Sequence, residues 1–307
     1  GIFEGNGHTI TIADGSTYVL NNGENSDTEI GLIRYLDGGT VQNLIIELEG
    51  TLWCTPNRYL VPPEGGDNLN AYQNIQQAGV LTGDIVNSGI VKNVAVLGGT
   101  VRFVGDRDAP LPTSLGGIAG ILRSGTISGC FTSCVVDAWS NPSDDSRYLR
   151  AGGIAAYIGA NSAIENCIHT DGRVWATAAV PDRQNHRAGQ AGGIVAEAEA
   201  SGSPRLTNCV VYNTDIRVQD HGQSLLKAGD TWDVAKINED WHNGTAGLAC
   251  AVQSSNLVVS RCYAYGGTAI SNSSVQQVAG VSTSEASAKE VLAGSYSDIW
   301  VVGADGW

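Results

Sequence analysis

Apolar and polar residues alternate with a period of two in many short runs along this chain. Such alternation is typical of β-strands, because successive side chains of a strand point to opposite faces. The runs are rich in Val, Ile and Thr and are separated by Gly, Asn and Ser, which favour turns. Residues 191–196 (Ala-Gly-Gly-Ile-Val-Ala) resemble a helix in composition, but each glycine would cost a helix about 1 kcal/mol. The pattern therefore predicts an all-β chain.

One phrase recurs along nearly the whole chain. Its first strand reads Gly-apolar-x-small, and its second reads apolar-x-Asn followed by Cys or an apolar residue. The first strand begins at Gly31, Gly79, Gly117, Gly153, Gly193, Gly247 and, in a weaker copy, Gly280. Successive copies start roughly 33 to 54 residues apart, in the range of solenoid units. Stacked units can bury an apolar row that one unit leaves exposed, so we expect a β-solenoid of about seven to eight irregular coils.

Four cysteines occupy one position of the second strand, where earlier copies have Leu44 and Val94. They are Cys130, Cys167, Cys209 and Cys262. A position that accepts Leu, Val or Cys faces an apolar interior, where a thiol behaves as a small hydrophobe. Stacked coils could also bring the sulfurs within disulfide range. Metal binding has less support, because no paired Cys-x-x-Cys with a following His is present.

An asparagine precedes that position in four copies, at a place next to a turn. The four are Asn43, Asn93, Asn166 and Asn208. An amide there can hydrogen-bond the backbone of neighbouring coils and so fix the register between them. We therefore predict a polar ladder beside the cysteine ladder.

The repeat and the opening residues 1–10 (Gly-Ile-Phe-Glu-Gly-Asn-Gly-His-Thr-Ile) resemble the GLUG-motif repeat proteins of bacterial surfaces. The resemblance covers most of residues 1–302. It implies a right-handed, single-stranded parallel β-helix on an exported protein, located outside the cell or at its surface. It implies no catalytic residues. We therefore expect residues 1–307 to form one β-helix domain, taken from a longer exported protein.

Variable insertions follow the repeat strands, and a rigid scaffold would project them from one edge. They span approximately residues 52–77, 103–115, 137–150, 175–190 and 219–244 and hold five of the seven tryptophans. Exposed aromatic rings beside carboxylate and guanidinium groups suit sugars and protein partners equally. The candidate ligand-binding residues are Trp139, Asp145, Arg147, Tyr148, Trp175, Arg183, His186, Arg187, Trp232, Trp241 and His242. The competing interpretation is that these tryptophans cover apolar surface and the charges are merely solvated.

Three functions are compatible with this pattern. The first is a non-catalytic surface module that displays its loops to a glycan or a protein partner, as in adhesion. The second is a polysaccharide lyase or glycoside hydrolase that uses loop carboxylates with Arg or His, although no carboxylate pair recurs with diagnostic spacing. The third is a structural subunit that stacks head to tail into a surface filament, since exposed parallel strands invite a second chain.

The net charge of −14 argues against nucleic acid as a partner, because phosphate backbones need a basic surface. No apolar run approaches the roughly 20 residues that a membrane-spanning helix needs, so direct membrane insertion is not expected. The sequence predicts no cofactor. Asp144 and Asp145, or Asp106 and Asp108, could hold Ca²⁺, but the ordered liganding loop of a calcium site is missing and acidic turns are more often simply hydrated.

Overall fold

The computed structural model describes residues 1–18, 29–54, 77–105, 113–140, 149–178, 189–220, 245–247, 250–252, 256–265, 268–270 and 281–282. The residues in these ranges form strands and no helix, and the strands pair only in parallel. Accordingly, none of them belongs to a helix long and apolar enough to cross a bilayer. The strands form four sheets, here named A to D, and each coil of the chain passes through C, D, A and B in turn. The predicted β-solenoid is confirmed.

Sheet A contains thirteen strands: β1 (Ile2–Glu4), β2 (Thr9–Ile12), β6 (Thr40–Leu48), β10 (Gly89–Leu97), β14 (Gly125–Ser128), β15 (Phe131–Thr132), β19 (Ala163–Glu165), β20 (Ile168–Thr170), β24 (Arg205–Thr207), β25 (Val210–Tyr212), β29 (Val258–Ser260), β30 (Cys262–Tyr265) and β32 (Val281–Ser282). Sheet B contains β3 (Thr17–Tyr18), β7 (Thr51–Cys54), β11 (Thr100–Gly105), β16 (Val135–Ser140), β21 (Arg173–Ala178), β26 (Asp215–Asp220) and β31 (Thr268–Ile270). Sheet C contains β4 (Glu29–Ile30), β8 (Gln77–Gly79), β12 (Thr113–Gly116), β17 (Leu149–Gly152), β22 (Gly189–Gly192) and β27 (Thr245–Gly247). Sheet D contains β5 (Ile33–Asp37), β9 (Thr82–Val86), β13 (Ala119–Leu122), β18 (Ala155–Ile158), β23 (Val195–Ala198) and β28 (Cys250–Val252).

Sheets C and D contain six strands each, so the described residues complete six coils. The sequence-based count of seven to eight differs from the number of complete coils among the described residues. Strands β1, β2 and β3 contribute only to sheets A and B, ahead of the first strand of sheet C. At the other end, β32 pairs only with β30 within the described part of the chain. The weaker seventh copy of the repeat phrase, which begins at Gly280, corresponds to the partial turn at β32.

The core consists of columns of like side chains, one member from each coil. One column contains Leu44 and Val94, which are paired in the register of β6 and β10. The paired residues before and after each cysteine show that the same column continues, one coil at a time, through Cys130, Cys167, Cys209 and Cys262. These four cysteines are fully buried and carry free thiols. Burial raises the pKa of Cys167, so the thiol stays protonated. The column is an apolar spine rather than a set of reactive groups.

The asparagines lie beside this spine in the left-handed region of backbone conformation. Asn43, Asn93, Asn166 and Asn208 have φ angles of 56°, 53°, 53° and 52°. Asn93 Nδ2 donates to Asn43 Oδ1 over 3.1 Å, and Asn208 Nδ2 donates to Asn166 Oδ1 over 2.9 Å. Gly129, with φ of 61°, takes the same position on the coil between these two pairs and has no amide to continue them. The bonds between these asparagines therefore join side chains, in two separate pairs.

Glycines permit the tight corner between sheets C and D. A Cβ on Gly152 would lie 1.8 Å from the carbonyl oxygen of Ala155, and one on Gly153 would lie 2.1 Å from that of Gly193. The same Cβ on Gly153 would lie 2.6 Å from Cγ of His169 in sheet A. The backbone at Gly153 therefore crosses the interior and contacts His169 of sheet A. Only glycine allows backbone to approach this closely, which explains why the repeat phrase begins with it.

Candidate functional site

The outer face of sheet B brings aromatic and charged residues into one row. Valine and alanine on β16 and β21 point inward, as Val136 and Ala138 show, so the residues between them point outward. Strand register then places five outward residues side by side on consecutive coils. In order they are Trp53, Arg102, Asp137, Trp175 and Arg217, and we call them the sheet B row.

Arg102 connects the first three members of the row. Its Cζ lies 5.3 Å from the centre of the Trp53 ring, a cation–π distance. Its Nε and Nη2 donate to Oδ2 of Asp137 over 2.7 and 2.6 Å. Trp139 Nε1 donates to the other carboxylate oxygen, Oδ1, over 2.5 Å. The guanidinium group is thus held between an aromatic ring and a carboxylate.

Asp137 is only 3% exposed, and burial raises its pKa. The cation of Arg102 and the hydrogen bonds from Arg102 and Trp139 oppose this rise. A buried carboxylate with both oxygens engaged is poorly placed to take a proton from a substrate. Asp137 therefore positions Arg102 and Trp139 rather than acting as an acid or base.

Trp175 is the centre of a second cluster. The guanidinium carbons of Arg173 and Arg217 lie 5.0 and 5.3 Å from the centre of its ring. Arg217 Nε also lies 2.8 Å from Oδ1 and 2.7 Å from Oδ2 of Asp215. Trp175 itself is half-buried, and its Nε1 donates to no other group in the described part of the chain. Two cations over one ring leave that ring less open to stacking by a sugar.

The structure changes the interpretation of the two candidate tryptophans that it describes. Trp139 and Trp175 lie on β16 and β21, so the predicted insertions began too early. Trp139 is 2% exposed and is a packed residue. Period-two alternation with Val136 and Val174 could have assigned both to strands. The other ligand-binding candidates lie outside the described residues: Asp145, Arg147, Tyr148, Arg183, His186, Arg187, Trp232, Trp241 and His242.

The sequence interpretation missed Arg102, Asp137 and Arg217 as site residues. Each belongs to a strand, and in an alternating strand a single charged residue between apolar ones normally indicates only a solvent-exposed side chain. Their significance follows from register, which places them beside one another on adjacent coils. Among the described residues, no three His, Cys, Asp or Glu side chains are grouped so as to hold a metal ion.

The sequence matches no protein-family model and no curated protein. The fold is similar to the crystal structure of a proposed immunoglobulin A1 protease from Bacteroides ovatus. The two chains are 15% identical, and the alignment covers 98% of this chain and 86% of that chain with a TM-score of 0.45. A similarity of this size says nothing about the activity of the present chain. The resemblance to GLUG-motif repeat proteins stays a prediction.

Proposed function

We propose that this chain is a non-catalytic, exported β-solenoid module that binds a protein partner through the sheet B row. The observation that carries the proposal is the alignment of Trp53, Arg102, Trp175 and Arg217 on four strands of one rigid sheet. Tryptophan and arginine are the residues that most often dominate protein interfaces. Export is supported by the GLUG-like repeat alone.

The row is organised before any partner arrives. Arg102 is fixed by Asp137, and Arg217 by Asp215, so their side chains would lose little conformational freedom on binding. Their side chains are also accessible, at 21% and 34% exposure. A protein is favoured over a glycan at this face because the Trp175 ring already has two guanidinium groups over it.

The row also supports binding better than hydrolysis. The carboxylate of the row, Asp137, and the neighbouring Asp215 are each paired with an arginine. Glycosidases instead need a carboxylic acid and a second carboxylate at a set separation across the scissile bond. Within the described residues, this face offers a set of anchored cations and rings, which is an arrangement for recognition.

The test uses the purified chain on an array of extracellular proteins and, in parallel, on a panel of polysaccharides assayed for reducing-end release. We expect saturable binding to a protein, and we expect Trp175→Ala and Arg217→Ala to weaken it at least tenfold. Arg205→Ala is the matched control, because Arg205 is an exposed arginine on sheet A. Equal binding by all three variants, binding to no protein, or release of sugar ends would overturn the proposal.

A further inference from the structure

The outer face of sheet B carries one more cation than its aspartates can pair. Its three arginines are Arg102, Arg173 and Arg217. Arg102 pairs with Asp137 and Arg217 pairs with Asp215. Arg173 is exposed and makes no ion pair with another residue in the described part of the chain. The face therefore has one guanidinium group in excess.

Arg173 has no carboxylate to itself. Burial raises the pKa of Asp137, and the charge of Arg173 is among those that oppose the rise, but both oxygens of Asp137 are engaged by other groups. Asp171, two residues before Arg173, accepts hydrogen bonds from Thr170 and Asn213 instead. The guanidinium group of Arg173 therefore keeps its donors for the solvent or for a partner.

Arg217 also has an open end. Its Nε lies 2.8 and 2.7 Å from the two oxygens of Asp215, and no described residue accepts a hydrogen bond from its Nη1 or Nη2. The side chain is 34% exposed. Because Nε1 of Trp175 is buried, the donors that a partner can reach here are the guanidinium ends of Arg173 and Arg217.

The chemistry of these open donors selects the partner's acceptor. A carboxylate accepts two parallel hydrogen bonds from a planar guanidinium group, and such charge-assisted bonds are roughly twice as strong as neutral ones. An acidic sugar carries the same group, but the Trp175 ring on which it would stack already has Arg173 and Arg217 at 5.0 and 5.3 Å from its centre. The face therefore favours carboxylates that come from a protein.

We propose that the protein partner presents aspartate or glutamate carboxylates to Arg173 and to the open end of Arg217. This inference rests on the proposed function and goes further by naming the charge of the segment that binds. In an extended segment, alternate side chains point to one side about 6.7 Å apart, so one acidic segment can offer several carboxylates to the face. The net charge of −14 makes most of the surface repel such a segment, which confines its binding to local clusters of cations.

The experiment measures the affinity of the whole chain for three probes. The first is a synthetic peptide of alternating glutamate and serine, the second has glutamine in place of each glutamate, and the third is polygalacturonate. We expect saturable binding of the glutamate peptide, at least tenfold tighter than that of the glutamine peptide. The glutamine peptide is the matched control for charge, because the two peptides have nearly the same shape.

The variants are Arg173→Gln and Arg217→Gln. Each should weaken binding of the glutamate peptide about 3- to 10-fold, a range between an exposed ion pair and a desolvated charge-assisted hydrogen bond. Arg173→Gln should leave the melting temperature unchanged, because Arg173 makes no ion pair with a described residue. Arg205→Gln, at an exposed arginine of sheet A, is the matched control and should bind like the parent chain.

Three results would each overturn the proposal: equal affinity for the two peptides, unchanged affinity in Arg173→Gln, or tighter binding of polygalacturonate than of the glutamate peptide. The proposed function fails separately. A protein from the array whose binding is lost in Trp175→Ala but unchanged in Arg173→Gln would keep the sheet B row as a binding surface and overturn only the acidic segment. Binding to no protein on the array would overturn the proposed function, and this inference with it.

Discussion

His169 gives this solenoid a specific sensitivity to acid. Its imidazole points into the main core from β20, on the column that also holds Thr132 and Val211. Nδ1 lies 2.8 Å from Oγ1 of Thr132, while Nε2 has no hydrogen-bond partner in the described part of the chain. Burial lowers the pKa of His169 to about 4, and the nearby charge of Asp171 opposes this only partly.

The sign and size of the effect follow from this pKa. The unfolded chain binds a proton at His169 below about pH 6.5, whereas the folded chain does so only below about pH 4. The stability that the neutral imidazole contributes is therefore present above pH 6.5 and is lost as the pH falls to 4. A difference of about 2.5 pH units, at 1.36 kcal/mol each, corresponds to about 3 kcal/mol.

His169→Val tests this reasoning, because Val96 and Val211 occupy the same column. At pH 7 the variant should be less stable by about 1 to 2 kcal/mol, since valine fills less of the space. Between pH 7 and pH 4 the parent should lose about 3 kcal/mol relative to the variant, so the two stability curves should cross. The measurement is urea unfolding at pH 4, 5, 6 and 7.

The comparison between parent and variant isolates His169 from other groups that titrate in this range. Burial raises the pKa of Asp84 to about 6, which lowers stability as the pH rises and so acts in the opposite direction. That contribution is common to both proteins and cancels in the difference. His8→Val, at an exposed histidine, is the matched control. Parallel curves for the parent and His169→Val from pH 7 to pH 4 would refute the argument.

Two further substitutions test the packing. Gly153→Ala would place a methyl group 2.1 Å from the Gly193 carbonyl oxygen and 2.6 Å from Cγ of His169. We expect the free energy of unfolding in urea to fall by at least about 3 kcal/mol. A fall of less than about 1 kcal/mol would contradict the tight corner. Asn208→Gly keeps the left-handed backbone but removes the hydrogen bond to Asn166, and it should lower the free energy of unfolding by about 1 kcal/mol. Asn208→Ala should lower it by about 1 kcal/mol more, because position 208 has a φ of 52°. Equal losses for the two variants would show that the backbone conformation is unimportant.

Much of the fold could be predicted from the sequence because each coil of a solenoid repeats the same arrangement of residues. Leu44, Val94 and Cys130 share a position in the repeat phrase, and the structure places them in one column. The spacing of the repeat copies could not show where the chain turns sharply between sheets C and D. The glycines of the phrase are required by contacts between coils and with sheet A, which lie far apart in sequence.

The candidate sites were harder to predict because register creates them. Arg102 and Asp137 are 35 residues apart, and their ion pair depends on adjacent coils being in step. One position of sheet C does carry a signal in the sequence: Gln77, Ser114, Arg150 and Gln190 share it, and they stand two residues before Gly79, Gly116, Gly152 and Gly192. That regularity alone does not show that Arg150 pairs with Glu197 of sheet D, because the pair depends on the sharp corner between the two sheets.

The single glycine at position 129 interrupts the amide ladder. Coils on either side of it lack the amide bond that ties Asn43 to Asn93 and Asn166 to Asn208. They are joined instead by the ion pairs of Arg102 with Asp137 and Arg123 with Asp84, and by the contact of Thr132 with His169. In a one-dimensional stack, cooperativity passes only between neighbours, so the cohesion of this part of the solenoid depends on charged and titratable side chains in place of neutral amides.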